Sequence, residues 1–127
     1  MILGLGTDLV AVDRVRSALE SHGERFLERV LTASESELCR SRGDPALCVA
    51  ARFAAKEAGA KALGTGIGQG VRLRDLEVVR ESAQPPQLCL HGQAAAVAAE
   101  QGIVRTYLSL SDEPGYALAL VVMEGDL

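Results

Sequence analysis

The 127-residue chain is long enough for one hydrophobic core and too short for two, and its 48% hydrophobic and 24% charged residues fit a globular protein rather than a disordered or fibrous one. A formal net charge of −4 argues against a general nucleic-acid binder, which needs a basic surface to neutralise phosphates. Met1 to Gly6 lacks the basic leader and length of a signal peptide, and the apolar run Tyr116 to Met123 is too short to cross a bilayer, so a cytoplasmic protein without a membrane partner is expected.

Ile2 to Val10 reads as a buried strand with glycines at Gly4 and Gly6, and it feeds directly into a helix on which Val12, Val15 and Leu19 recur until Gly23. A second short helical segment carries Arg25, Phe26 and Arg29. Thr32-Ala33-Ser34-Glu35 is a T-x-x-E capping box, which predicts a helix running to Arg42 and stopping at Gly43. Asp44-Pro45 then supplies an N-cap and a proline at the first helical position, and the Ala-rich segment continues to Leu63, with Gly64 as its stop.

Gly64 to Gly70 is a glycine-rich loop, followed by a strand over Leu76 to Arg80, a turn at Pro85-Pro86 and a short strand over Gln87 to His91. Gln93 to Gln101 is a helix closed by Gly102. Ile103 to Ser111 alternates apolar with polar side chains, Asp112-Glu113-Pro114-Gly115 turns the chain, and Tyr116 to Met123 completes a hairpin. Helices dominate the first half and antiparallel strands the second. The expected fold is therefore α+β over residues 1–127 as a single domain, with one long central helix packed on a mainly antiparallel sheet.

Cys39, Cys48 and Cys89 have neither zinc-site spacing nor an even count, and free buried thiols are the expected state. Nine of the thirteen Lys and Arg residues lie between Arg14 and Lys61, so the amino-terminal half can present a local basic face. His91, before Gly92 at a strand end, reads as structural.

The glycine loop invites a phosphate-binding reading, but it follows a helix and lacks the Lys-Ser or Lys-Thr of a P-loop. Gly4-Leu5-Gly6 likewise lacks the third glycine of a dinucleotide fingerprint. Asp8 interrupts an otherwise apolar strand, where a carboxylate needs a partner, a metal or water. Glu57 shares a helix face with Phe53 and Lys61, which is either an ordinary surface ion pair or a carboxylate and an ammonium aimed at one substrate. Magnesium commonly takes one or two protein carboxylates and fills its shell with water and substrate phosphates, so Asp8 and Glu57 would suffice if they met. Spacing alone leaves that meeting open.

Two separated motifs then point the same way: Gly4-Leu5-Gly6-Thr7-Asp8-Leu9-Val10, and Arg52-Phe53-Ala54-Ala55-Lys56-Glu57-Ala58 continuing through Lys61-Ala62-Leu63-Gly64-Thr65-Gly66. In these segments, and in the order of elements around them, the chain resembles the holo-(acyl carrier protein) synthase family, the small bacterial class of phosphopantetheinyl transferases. The resemblance implies transfer of 4′-phosphopantetheine from coenzyme A to a serine of apo-acyl carrier protein, releasing adenosine 3′,5′-bisphosphate. It implies catalytic roles for Asp8, Glu57 and Lys61, with Mg²⁺ on Asp8 and Glu57. Coenzyme contacts would come from Arg52, Lys61, Gly64, Thr65 and Gly66, and carrier docking from Arg14, Arg16, Arg25 and Arg29. It also implies a homotrimer with active sites between protomers.

The general base is open between Glu57 and Glu35, either acting through water. One departure stands out: Asp112 occupies a position where similar proteins commonly carry His near the coenzyme phosphate, which implies weaker coenzyme binding unless a cation compensates. A carrier-binding module impaired in transfer and a metal-dependent diphosphate hydrolase are the alternatives.

Overall fold

The computed structural model describes residues 1–127. Strand β1 (Ile2–Ala11) runs without a loop into α1 (Val12–His22), and Gly23 separates that helix from the short α2 (Glu24–Val30). Helix α3 (Ala33–Arg40) starts at the expected capping box: the Glu35 amide donates to Thr32 Oγ1 at 3.3 Å, and the Thr32 amide donates to Glu35 Oε1 at 2.9 Å. It closes two residues earlier than Arg42, with Ser41 as its cap.

Helix α4 (Pro45–Leu63) is the long central helix, and Gly64 ends it in the left-handed conformation. Strands β2 (Leu76–Val79) and β3 (Gln87–Leu90) form their own two-stranded antiparallel sheet, after which α5 (Gly92–Gln101) leads to β4 (Ile103–Glu113) and β5 (Tyr116–Gly125). The main sheet has the order β1-β5-β4, with both pairings antiparallel. The expected α+β class is therefore what the chain adopts.

The final turn is tighter than the sequence suggested. Asp112 and Glu113 stay in β4, paired with Ala117 and Tyr116, so only Pro114 and Gly115 turn the chain. Proline has no amide to donate to the ladder, and pairing stops there.

Alanine-rich α4 is buried nearly all round, with Ala50, Ala54, Ala55 and Ala58 fully enclosed beneath Val12, Ala117, Ala119 and Val121. Its approach to β1 depends on two glycines. A Cβ on Gly4 would lie 2.1 Å from the Ala62 carbonyl oxygen, and one on Gly6 would lie 1.9 Å from that of Ala58. Any side chain there would push the helix off the strand.

The opposite face of the sheet has no cover. Leu5 and Leu9 of β1, Leu118 and Leu120 of β5, and Tyr107 of β4 share that face by register and are between 39% and 63% exposed.

The cysteine expectation needs correcting. Cys39 of α3 and Cys48 of α4 form a disulfide with Cα atoms 5.4 Å apart, and only Cys89 is free. The folding of α3 back against α4 brings the pair together, which a spacing of nine residues does not announce.

Candidate active site

Because Gly4 and Gly6 let α4 lie directly on β1, against Ala62 and Ala58 in turn, the next inward-facing residue of the strand, Asp8, comes up beside the helix flank that carries Glu57 and Lys61. Its carboxylate is mostly covered, with 18% side-chain exposure, and Lys61 Nζ donates to Asp8 Oδ1 at 3.2 Å and to the Thr7 carbonyl oxygen at 2.9 Å. Glu57 sits one helical turn before Lys61 on the same face. Burial raises the Glu57 carboxyl above its ordinary value, the neighbouring Asp8 carboxylate raises it further, and Lys61 partly offsets both.

The two carboxylates thus crowd one place, and no third His, Cys, Asp or Glu joins them. Two hard oxygen donors with excess negative charge suit Mg²⁺, whose remaining ligands come from water and phosphate. Beyond Lys61, the Gly64-Thr65-Gly66 loop folds back on the helix end, the Gly66 amide donating to the Ala60 carbonyl at 3.1 Å.

Arg52 and Asp112 lie elsewhere. Arg52 and Glu57 are five residues apart on α4, hence about 140° apart around its axis. Asp8 and Asp112 are on the two outer strands of the sheet. Arg52 instead faces a cavity of about 340 Å³ that it shares with Arg42, Arg80, Pro86 and Asp112. Arg52 is 7% exposed and its Nε has no hydrogen-bond partner, while Nη1 reaches the Cys48 carbonyl at 3.4 Å. Burial lowers its pKa, and the charges of Arg42 and Arg80 add to the lowering against the attraction of Glu35. A buried guanidinium with an orphaned donor and two more arginines beside it is a site for an anion.

The chain matches the model of the 4′-phosphopantetheinyl transferase superfamily over residues 4–121. It belongs to that superfamily. It is 53% identical to the holo-[acyl-carrier-protein] synthase of Halorhodospira halophila across 97% of this chain and 98% of that one, and 47% identical to the Vibrio cholerae enzyme of the same name across 98% of each. Its fold is that of the crystal structure of the Neisseria meningitidis holo-[acyl-carrier-protein] synthase, with a TM-score of 0.90 and 40% identity over 98% of this chain and 99% of that one. The Helicobacter pylori holo-[acyl-carrier-protein] synthase, solved in complex with coenzyme A, matches at a TM-score of 0.83 and 30% identity over 94% and 99% of the two chains. The resemblance carried by the two sequence motifs is therefore correct.

Of the four arginines expected to dock a carrier, Arg14, Arg25 and Arg29 are exposed. Arg16 is already engaged, gripping Asp44 with both terminal nitrogens at 3.1 and 3.3 Å. Glu35, the alternative general base, is 2% exposed and held by three hydrogen bonds: Oε1 accepts from Lys56 Nζ at 2.7 Å and from the Thr32 amide, and Oε2 accepts from the Val78 amide at 2.8 Å. Enclosed in this way, it has no access to a substrate, which removes it as a base.

Lys56, fully buried, also donates to the Leu76 carbonyl at 2.6 Å, so this ion pair ties α3, α4 and β2 together. Its role escaped the sequence reading, although Arg52 four residues earlier marks the same inward helix face. His91 pairs with Glu77 at 2.9 Å, and Glu77 in turn accepts from Thr32 Oγ1 at 2.7 Å, in keeping with a structural role.

Proposed function

We propose that this chain transfers the 4′-phosphopantetheine group from coenzyme A to a serine of apo-acyl carrier protein, giving holo-carrier and adenosine 3′,5′-bisphosphate. The observation that carries this reading is the meeting of Asp8, Glu57 and Lys61, from opposite ends of the first half of the chain, at one partly open place. No side chain there is a nucleophile of its own, so the attacking oxygen belongs to the substrate. Rate then comes from positioning and charge neutralisation, as in other phosphoryl transfers.

Asp8 and Glu57 would hold Mg²⁺, which supplies Lewis-acid neutralisation of a diphosphate when bound. Lys61, tethered by its contacts to Asp8 and the Thr7 carbonyl, brings its ammonium to the phosphoryl oxygens on which charge builds. Gly64, Thr65 and Gly66 shape the pocket wall at the helix end. Of the two carboxylates considered as bases, only Glu57 stands at this site, and it would take the serine proton through a water. Arg52, with Arg42 and Arg80 around it, would bind a further phosphate of the coenzyme, and those arginines offset the anionic Asp112.

Within one protomer the Arg52 pocket and the Asp8–Glu57–Lys61 cluster lie on different flanks of α4, so a single coenzyme reaches both only across a subunit boundary. A homotrimer packed through the bare face of the sheet provides one. Asp112 supports this arrangement, since it lines both the arginine pocket and a second cavity of about 300 Å³ with Leu9, Tyr116 and Leu118 on that face. Arg14, Arg25 and Arg29 would meet the acidic surface of the carrier, with Arg16 braced on Asp44 behind them. Residues 1–127 act as one transferase domain in the cytoplasm.

The test is mass spectrometry of an apo-carrier incubated with coenzyme A, Mg²⁺ and this protein, alongside Glu57→Ala. A mass gain equal to phosphopantetheine with wild type and none with the variant is expected. Free nucleotide without a gain on the carrier would make the protein a hydrolase, and neither product would make it a binding module.

A further inference from the structure

The Cys39–Cys48 bridge closes the segment 40–47, which contains both Arg42, on the wall of the arginine pocket, and Asp44, the partner of Arg16. Cys48 is itself part of that pocket's wall, and its carbonyl is the only acceptor for the buried Arg52 guanidinium. Cys39 is 1% exposed, whereas Cys48 is partly exposed, so an external thiol or disulfide reaches the pair from the pocket side, at Cys48. In a reducing compartment a disulfide is seldom a permanent staple and more often a transient, redox-sensing bond.

We propose that Cys39 and Cys48 form a reversible thiol–disulfide site that sets the affinity of the arginine pocket for its anionic ligand. This rests on the reading of that pocket as part of the coenzyme site. Oxidation proceeds by exchange with a low-molecular-weight disulfide. The Cys48 thiolate attacks one sulfur, releases one small thiol and forms a mixed disulfide; the Cys39 thiolate then attacks the Cys48 sulfur and releases the second. Two protein thiols lose two protons and two electrons, and the small disulfide is reduced to two thiols.

With the bridge formed, the segment between α3 and α4 is held at both ends, and Arg42 stays over the pocket beside Arg52. Reduction removes one of these ties and restores the chain freedom that must be lost again when Arg42 closes on an anion. The oxidised protein therefore binds coenzyme A more tightly, while the Asp8–Glu57–Lys61 cluster on the other flank of α4 is untouched. The switch thus acts on affinity and leaves turnover at saturation unchanged.

The experiment equilibrates wild type in oxidised or reduced glutathione, counts alkylatable thiols by mass spectrometry, and measures the dissociation constant of coenzyme A by calorimetry and its KM by the carrier assay. The expected result is one thiol alkylated after denaturation, Cys89, in the oxidised form and three in the reduced form, with affinity about tenfold higher when oxidised and kcat equal. C48S should show the reduced-form affinity in both buffers, and C89S should respond like wild type. Failure of Cys39 and Cys48 to pair under oxidising buffer, or equal affinity in two verified redox states, overturns the proposal. R52A separates that result from failure of the coenzyme reading: if the switch alone is wrong, R52A still binds coenzyme A more weakly in both buffers, and if the pocket is not a coenzyme site, R52A binds as wild type does.

Discussion

Lys61 Nζ stands 3.2 Å from Asp8 Oδ1, joining two side chains that are 53 residues apart in the chain. The ammonium is half exposed and the carboxylate mostly covered, so the pair faces outward on one side only. Removing the ammonium takes away a charge needed where the transferred phosphoryl group develops its own. Lys61→Ala is expected to fold normally and lose about 100-fold or more in kcat in the carrier assay, with a smaller change in KM.

Glu57 is held with its carboxyl raised, because burial and Asp8 both disfavour its charge. A carboxyl whose folded pKa lies above its unfolded value costs stability once ionised, and that cost grows as pH rises from the unfolded pKa through the folded one. Without divalent ions, Glu57→Gln should therefore melt above wild type at neutral pH, and the two should converge below about pH 4. Added Mg²⁺ should raise the melting temperature of wild type and leave that of the variant unmoved. Thermal scans across pH, with and without Mg²⁺, check both statements.

Gly6 is where strand and helix backbones touch, and a methyl group there would meet the Ala58 carbonyl oxygen at 1.9 Å. Neither atom belongs to a flexible side chain, so the helix must move. Gly6→Ala should cost about 1–3 kcal/mol in denaturant unfolding. It should also reduce kcat under conditions where the variant remains folded, because Glu57 and Lys61 move with α4 while Asp8 stays on β1.

Leu118 lies on the central strand of the bare sheet face, opposite Leu9 in the register and 43% exposed. A charge there would be buried without a partner in any assembly built on that face. Leu118→Asp should run as a monomer in sedimentation or native mass spectrometry and lose transferase activity, with the far-ultraviolet spectrum of the wild type retained.

Asp112 places a carboxylate among Arg42, Arg52 and Arg80, where it competes with an incoming anion for their charge. Asp112→His removes the competitor. The KM for coenzyme A should fall several-fold with little change in kcat; an unchanged or higher KM would count against a phosphate in that pocket.

Much of this protein was open to reading before any coordinates. The Thr32–Glu35 box, the proline and glycine that bracket α4, and the alternation along β4 are local features, and each produced the expected element near its expected bounds. The two motifs around Asp8 and Glu57 also led to the right family. Errors gathered where local rules compete with packing. The last turn shortened because the β4–β5 ladder continued through Asp112 and Glu113 up to the proline. Glu35 stood beside Glu57 as a candidate base, since nothing local in the sequence told an enclosed carboxylate from an accessible one. In the fold, the buried Lys56 ammonium and the Val78 amide donate to its two oxygens inside the core.

Composition, periodicity and motif determined which elements form and which side chains carry charge, since these depend on neighbours a few residues away. Tertiary structure alone decided which of those charges meet. Asp8 joins Glu57 and Lys61 because two glycines let a helix rest on a strand, Arg52 is turned to the far flank by the pitch of that helix, and Cys39 finds Cys48 because α3 folds back on α4. Each of those meetings depends on the direction in which a side chain leaves a packed element, and that direction is set by contacts between segments distant in the chain.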